Sequence, residues 1–340
     1  MTTALLFAGQ GVAPPFVAAS VLARAASRPL LEAASDAAHE DVAALLVRGG
    51  RALSRTEVLQ PALVAACLCA AGGLAADGLV ADFVAGHSLG ELAAWAAGGF
   101  VAPTDAIAAA GVRGRLMARE AAAHPGGMLA VHGDALLAAR AIDAAARATD
   151  AAARATDAAA RAIDAAARAI DAVARTIDAA ARATDAAARA IESATRASDA
   201  VVIAAENAPD ETVLSGTDAG LAAAARAAAA EGAASTRLAV AGAWHSAAMA
   251  GAHAELLATL AAMPMSPPRA AFVANRTGDV APADSIPAML ADQLVHPIRF
   301  TRLLATLAAC GVDRFVIPGP GKLLRALVRK NLGDVRVEIL

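Results

Sequence analysis

The sequence predicts an α/β fold with a largely parallel main sheet and a second, smaller sheet. Outside one repetitive segment, short apolar runs alternate with helical stretches, a pattern typical of strands joined by helices. The strand candidates are 4–7, 83–85, 271–274 and 314–317 for the main sheet, and 128–132, 201–204 and 212–215 for the smaller one. A chain of 340 residues is long enough for one large domain or two smaller ones.

The repetitive segment has a period of seven residues and extends from Asp143 to Ser198. Each unit resembles DAAARAT and places an acid four residues before an arginine, as in Asp143 and Arg147, which together with the many alanines predicts a helix. Because only one position per unit offers a regular seam, a strong coiled coil is not expected. Two interpretations remain open: a low-complexity insertion that the fold tolerates, or a helical arm for oligomerisation or partner docking.

Composition excludes some classes of function. The net charge of -3, with 29 Lys+Arg against 32 Asp+Glu, does not provide the basic face expected of a nucleic-acid-binding protein. The apolar stretch 63–76 is too short to cross a bilayer and predicts a buried helix instead of a membrane span. The N-terminus lacks a basic region and reads as a first strand, so we expect a cytoplasmic protein. Cys67, Cys69 and Cys310 lack metal-ligand spacing, so no metal site is predicted.

The segment 86–90, GHSLG, has the context of a nucleophile elbow. It lies between a strand candidate and a helix that begins near Glu91, and its glycines allow a strained turn that presents the Ser88 hydroxyl. The alternative is a tight turn in which Ser88 only caps the helix. A nucleophilic serine needs a base, and among seven histidines His245 is the best candidate because it follows a strand-like run and a small-residue turn.

Several further motifs occur in a fixed order along the chain. They are FAGQG at 7–11, QPAL at 60–63, RGRLM at 113–117, NAP at 207–209, QL at 293–294 with Pro297, and GPGK at 319–322. Together with GHSLG and the His245 segment, they resemble malonyl-CoA:acyl carrier protein transacylases and the acyltransferase domains of polyketide and fatty acid synthases. The resemblance covers nearly the whole chain except the repeat.

This resemblance implies a fold and an activity. The fold would be a hydrolase-like large subdomain (1–127 and 240–340) with a mostly parallel sheet, and a small ferredoxin-like subdomain (128–239) that carries the heptad-repeat insertion (143–198). The activity would move a malonyl group from malonyl-CoA to the phosphopantetheine thiol of an acyl carrier protein through a malonyl-serine intermediate. No metal or redox cofactor is implied, and we expect a monomer unless the repeat helix oligomerises.

The resemblance also assigns roles to the reacting groups. Ser88 would attack the thioester, with His245 as its base. The backbone amides of Gln10 and Leu89 would form the oxyanion hole, whose donors stabilise charge that appears only in the tetrahedral state. The backbone carbonyl of Gln293 would orient His245, so no acidic third member is expected.

Four more residues are assigned to the substrate. Arg113 matches the arginine that binds the free malonyl carboxylate, a pairing suited to a planar guanidinium, although a helix-surface arginine is the alternative. Trp244 matches a bulky aromatic that would exclude branched acyl groups. His87 matches a position that lines the site, with a packed structural histidine as the alternative. Asn207 matches an asparagine at the edge of the small subdomain, or is a turn residue before Pro209.

The sequence departs from the family pattern at Ala8, at Val12-Ala13 and at Ile317-Pro318, and the first two changes put the oxyanion loop in doubt. Two rival functions stay open. One is a thioesterase or esterase-type serine hydrolase, against which Arg113 argues; the other is a non-catalytic scaffold that uses the repeat helix. The pathway is also open, whether fatty acid synthesis, polyketide synthesis in trans, or malonate decarboxylation.

Overall fold

The computed structural model describes residues 1–11, 16–133, 141, 142, 144, 146, 148 and 201–340. Apart from three of these positions, the predicted repeat helix at 143–198 lies outside the described residues, as does the Val12-Ala13 departure. The described α-helices are α1 (Ala19–Leu22), α2 (Arg28–Ala38), α3 (Val42–Arg48), α4 (Thr56–Ala76), α5 (Gly90–Ala97), α6 (Pro103–Ala123), α7 (Asp218–Ala230), α8 (Ala250–Ala261), α9 (Ile286–Asp292), α10 (Phe300–Ala309) and α11 (Lys322–Leu332).

The main sheet has five parallel strands. Its strands are β1 (Thr2–Phe7), β2 (Phe83–Gly86), β7 (Ala271–Val273), β8 (Val312–Ile317) and β9 (Arg336–Ile339), in the spatial order β7-β2-β1-β8-β9. The predicted parallel sheet is therefore confirmed. Strand β9 was not predicted, because this edge strand alternates charged and apolar residues over only four positions.

Helix α4 is longer than the buried helix predicted at 63–76, because it begins at Thr56 and continues through Pro61. Its length and composition alone would allow it to cross a membrane, but most of its side chains are buried in the core of the fold. It packs against α2 and α6, and its apolar character on all sides fits a core helix.

The second sheet is four-stranded and antiparallel. It consists of β3 (Gly127–His132), β4 (Val202–Ala208), β5 (Glu211–Gly216) and β6 (Ala234–Arg237), in the order β4-β5-β3-β6. Because side chains alternate along β3, Leu129 and Val131 join a small core under α7, whereas Met128 and Ala130 join the main core. The small sheet thus packs against the main core through the face that carries Met128 and Ala130.

The candidate site lies at one edge of the parallel sheet. Carboxyl ends of parallel strands meet at one edge of a sheet. At this edge β1 leads to Gln10, β2 leads to Ser88 and β7 leads to Asn275.

Candidate active site

Ser88 lies in a sharp turn between β2 and α5. Its φ is +52°, in the left-handed region, which costs a non-glycine residue about 1–2 kcal/mol. A Cβ on Gly86 would approach the carbonyl carbon of Gly90 to 2.1 Å, and a Cβ on Gly90 would approach the Phe7 carbonyl oxygen to 2.1 Å. Glycines are therefore required on both sides of Ser88. Helix α5 is capped by Leu89 without a side-chain hydrogen bond, so Ser88 is not a capping serine.

His245 faces Ser88 directly. Its Nε2 lies 2.9 Å from Ser88 Oγ, and its Nδ1 lies 2.6 Å from the carbonyl oxygen of Gln293. A carbonyl can only accept, so Nδ1 carries the proton and Nε2 is left to accept from the serine hydroxyl. Burial, with the nearby charge of Arg113, lowers the pKa of His245 to about 3, so the ring is neutral at pH 7. Its φ of +59° is also left-handed.

Arg113 lies on the buried side of α6, only 2% exposed, so the helix-surface alternative is wrong. One Nη donates to Gln60 Oε1 at 2.8 Å; the other donates to Gln293 Oε1 at 2.9 Å and lies 3.3 Å from Ser88 Oγ. Burial lowers the Arg113 pKa to about 10, which leaves it charged at pH 7. In the part of the chain that the structure describes, no carboxylate forms a salt bridge with it. A substrate carboxylate would meet a fixed guanidinium beside the serine.

Two buried residues lie beneath this site, Glu91 and Asn275, and their roles were not predicted from the sequence. Asn275 accepts from the Ser88 N–H at 2.7 Å and donates to the Gly86 carbonyl at 2.6 Å. Glu91 accepts from the Asn275 N–H at 2.6 Å and from the Gln293 side-chain amide. Burial raises the pKa of Glu91 to about 8, against the effects of these donors and of Arg113. A sequence signal existed for Asn275, because it follows a predicted parallel strand of the same edge.

The loop after β1 packs against the serine turn. A Cβ on Gly9 would approach the His87 carbonyl oxygen to 2.4 Å, so the chain beside Gln10 lies directly on the elbow. The Gln10 side-chain amide exchanges hydrogen bonds with Thr56 and accepts from Gln60 at 3.3 Å. Leu89 follows Ser88 at the start of α5. Both residues assigned to the oxyanion hole are thus adjacent to the elbow, and their roles stay a prediction.

His87 and Asn207 meet across the two sheets. His87 Nε2 lies 2.8 Å from Asn207 Oδ1, while the Asn207 amide donates to Glu211 at 3.1 Å. Asn207 lies in β4 and is 6% exposed, so the alternative of a turn residue is wrong. Burial lowers the pKa of His87, which favours its neutral form. This contact joins the elbow to the small sheet.

Trp244 is buried immediately before His245. Its Nε1 has no hydrogen-bond partner among the described residues, and it would lie 2.9 Å from a Cβ placed on Gly242. The indole nitrogen therefore points toward its own chain at Gly242. The proposed selection against branched acyl groups stays a prediction.

Three observations concern possible sites other than the one at Ser88. A cleft of about 280 Å³ opens at the opposite, amino-terminal edge of β2 and β7, where Leu79, Ala81 and Ala270 line it, and it is remote from Ser88. Among the described residues, no group of three or more His, Cys, Asp and Glu side chains could hold a metal ion. Cys67 and Cys69 are buried and Cys310 is exposed, and none is in a disulfide.

The fold and this arrangement define a class: α/β proteins that present a serine and a neutral histidine at the carboxyl edge of a parallel sheet, suited to acyl transfer. The comparisons with known proteins identify the family within this class. The acyl transferase domain family matches residues 10–150 and 143–336, and the chain belongs to that family.

Individual relatives fall in two groups. The malonyl CoA-acyl carrier protein transacylase of Bacillus subtilis is 27% identical over 309 residues, which cover 90% of this chain and 82% of that protein. The phenolphthiocerol synthesis polyketide synthase Pks15/1 of Mycobacterium marinum is 28% identical over 85% of this chain, and this chain spans only 11% of its length.

Solved structures share the fold over the full chain. The malonyl-CoA:acyl carrier protein transacylase of Xanthomonas oryzae pv. oryzae is 26% identical with a TM-score of 0.78, and the match covers 100% of this chain and 94% of that one. A second structure is a malonyl-transacylase solved in complex with a type II polyketide acyl-carrier protein. It is 24% identical with a TM-score of 0.76, and the match covers 100% of this chain and 95% of that one, which shows the common fold.

Proposed function

We propose that this chain transfers a malonyl group from malonyl-CoA to the phosphopantetheine thiol of an acyl carrier protein through a malonyl-serine at Ser88. Membership of the acyl transferase domain family and the name of the Bacillus relative support the reaction and its partner. The proposal includes a cytoplasmic location, no metal or redox cofactor, and a monomer unless the repeat oligomerises.

The observation that carries the proposal is the position of Arg113. Its guanidinium lies 3.3 Å from Ser88 Oγ and is held by two neutral amide oxygens. A buried cation without a bound carboxylate is costly, and a carboxylate ligand would compensate it with charge-assisted bonds. An acyl group that ends in a carboxylate, such as malonyl, satisfies this site, whereas acetyl leaves the guanidinium without a charged partner.

In the first half-reaction, Ser88 Oγ attacks the thioester carbon and its proton passes to His245 Nε2. The backbone N–H groups of Gln10 and Leu89 are assigned to the oxyanion of the tetrahedral intermediate. The carbon–sulfur bond then breaks, and His245 returns its proton to the coenzyme A thiolate. The Gln293 carbonyl stabilises the transient imidazolium by accepting a hydrogen bond from its Nδ1–H.

In the second half-reaction, the phosphopantetheine thiol of the carrier gives its proton to His245 Nε2 and attacks the malonyl-serine carbonyl. The ester carbon–oxygen bond breaks, and Ser88 recovers the proton from His245. Arg113 keeps the malonyl carboxylate fixed through both steps, so the same carbonyl stays within reach of the nucleophile.

The decisive test is the mass of the intact protein after brief exposure to malonyl-CoA. We expect one malonyl adduct, which maps to the peptide containing Ser88 and is lost in Ser88→Ala. An active wild-type protein that transfers malonyl without an adduct would contradict the covalent route.

The second candidate is a hydrolase, in which water replaces the carrier thiol. It shares the Ser88–His245 pair and differs only in the acceptor. Comparing malonyl loading of a carrier protein with release of free malonate separates the two: transferase activity gives loading in excess, and hydrolysis gives malonate whether or not the carrier is present. The hydrogen bonds among Ser88, His245 and Arg113 argue against the alternative of a non-catalytic scaffold.

We also infer the finer division of the chain. The order of elements β3, β4, β5, α7, β6 and the strand order β4-β5-β3-β6 support a ferredoxin-like subdomain at 128–239, with the repeat between β3 and β4. The parallel sheet with its serine elbow supports a hydrolase-like subdomain at 1–127 and 240–340.

A further inference from the structure

The strained turn at Ser88 is stabilised from below by a buried polar cluster, the Glu91–Asn275–Gln293 cluster, whose three members are all at most 2% exposed. Only the main-chain carbonyl of Gln293 has a role in the mechanism described above. The side chains of these residues are placed on reacting groups without themselves touching the acyl group, which raises the question of what they do.

Asn275 fixes the backbone of the elbow. Its single side-chain amide binds both ends of the three-residue turn, accepting from the Ser88 N–H at 2.7 Å and donating to the Gly86 carbonyl at 2.6 Å. A non-glycine residue in the left-handed region persists only where its surroundings hold it there. Asn275 thus supplies a partner to two backbone groups of the turn with one side chain.

Gln293 holds the other peptide group of Ser88 and also the arginine. Its Nε2 donates to the Ser88 carbonyl at 3.0 Å, and its Oε1 accepts from Arg113 at 2.9 Å. An amide can serve both only in one of its two orientations. The orientation is set by Glu91, because one of its oxygens accepts from the same Nε2 and the other faces a second donor, the Asn275 N–H, so both oxygens act as acceptors.

Glu91 therefore links the two halves of the cluster. One of its oxygens accepts from the Asn275 N–H at 2.6 Å and the other from Gln293 Nε2. Its position in the first turn of α5, three residues after Ser88, lets a single carboxylate reach both partners.

We propose that Asn275 and Glu91 are positioning residues with separable effects: Asn275 holds the Ser88 nucleophile, and Glu91 sets the Gln293 amide that holds Arg113 for the acyl carboxylate. The inference rests on the proposed function for its second half. Its first half concerns only the nucleophile and is independent of the acyl group.

The kinetic test compares Asn275→Ala and Glu91→Gln with malonyl-CoA and acetyl-CoA as donors. In Asn275→Ala we expect kcat for serine acylation to fall about 100-fold with both donors and KM to change little, because a misplaced nucleophile slows the step whatever the acyl group. In Glu91→Gln the NH2 group of the new amide faces the side-chain NH2 group of Gln293, and two donors cannot form a hydrogen bond. The Gln293 amide that holds Arg113 is then no longer fixed, so the preference for malonyl over acetyl should fall about tenfold.

The matched control is Glu120→Gln, which makes the same substitution at another nearly buried residue, one that pairs with Arg119 on α6. It should leave the malonyl preference within twofold of wild type. Thermal unfolding of each variant separates positioning from unfolding, because a merely destabilised enzyme keeps the wild-type preference in its folded fraction. An equal loss with both donors in Glu91→Gln, or an unchanged acylation rate in Asn275→Ala, would overturn the inference.

A serine-directed fluorophosphonate separates this inference from the proposed function. It needs the elbow and His245 but no carboxylate site. Asn275→Ala should therefore label about 100-fold more slowly, whereas Glu91→Gln, which keeps both Asn275 side-chain bonds to the elbow, should be slowed less than tenfold. Wild-type labelling without any malonyl adduct would refute malonyl transfer while the role of Asn275 stands. Normal labelling of Asn275→Ala would refute that role whatever the acyl donor.

Discussion

The large parallel sheet and the small antiparallel sheet use buried polar groups differently. At the edge of the large sheet, Ser88, His245, Arg113 and Glu91 are joined in one hydrogen-bonded cluster with shifted pKa values. The small sheet contributes Asn207, which contacts His87, while its buried Ser215 hydroxyl has no hydrogen-bond partner among the described residues. The contrast is consistent with the proposal that the chemistry belongs to the large sheet, while the small sheet contacts the elbow through Asn207 and His87.

The largest effect should come from comparing one serine substitution in each region, Ser88→Ala at the edge of the large sheet and Ser215→Ala in the small sheet. We expect Ser88→Ala to lower malonyl-serine formation at least about 1000-fold, because it removes the nucleophile. Ser215→Ala should leave the rate within twofold and the stability unchanged or higher, because its buried hydroxyl has no partner to lose. Intact-mass adduct formation measures the rates, and equal loss in both variants would contradict the assignment.

The next effect concerns two arginines of α6. Arg113→Lys keeps a charge but loses the planar fork, so kcat/KM for malonyl-CoA should fall roughly 10–100-fold while that for acetyl-CoA changes little. The control is Arg115→Lys, since Arg115 contacts the Ala37 carbonyl on the outside of the same helix. An unchanged malonyl preference in Arg113→Lys would remove the main support for a carboxylate-bearing substrate.

A third prediction uses pH. The folded pKa of His245, about 3, lies below its unfolded value near 6.5, so its contribution to stability is fully present above pH 6.5 and is lost as pH falls toward 3. Between these limits the unfolding free energy should fall by about 1.4 kcal/mol per pH unit through this residue. Denaturant unfolding gives the unfolding free energy of the wild type and of His245→Gln at each pH, and the difference between the two isolates the slope that is due to His245. The effect of Glu91 cancels in this difference, because Glu91 is common to both proteins. A parallel pH dependence in the two would show that His245 is not buried neutral.

A smaller effect tests the contact between the sheets. Asn207→Ala removes the acceptor of His87 and the donor to Glu211, so we expect a loss of about 1 kcal/mol of stability and a decrease in acylation of under tenfold. Thermal unfolding and adduct formation measure the two quantities. A loss as large as that of Ser88→Ala would mean that the small sheet takes part in the chemistry.

The smallest effect is expected from shortening the repeat. Strands β3 and β4 are both antiparallel to β5 and so parallel to each other, which requires a crossover of a dozen or more residues. A variant that keeps 143–156 and removes 157–198 retains such a length. We expect acylation and carrier loading within twofold of wild type. A loss of loading with acylation intact would instead support the arm as a docking element.

The sequence predicted most of the fold because local patterns were sufficient. Four of the five main strands and three of the four small strands had clear apolar runs, whereas β9 at the sheet edge and the start of β6 did not. In the site, Ser88 and His245 came from turn context, and the structure brings them to 2.9 Å. The roles of Gln60, Glu91 and Asn275 were not predicted, because they depend on contacts with residues far away in the chain. Gln60 binds Arg113, 53 positions away, and Asn275 binds Ser88, 187 positions away.

By itself the sequence determined the local chemistry: the glycines around Ser88, the strand that leads to it, the arginine of α6, and the order of motifs that indicated the family. Only the tertiary structure decided which polar groups meet. In the folded chain, Arg113 points inward beside Ser88, and Asn275 lies under the elbow. The Gln293 carbonyl determines the tautomer of His245. The reason is physical: backbone preferences act over a few residues, whereas burial and hydrogen-bond geometry arise where distant segments pack together.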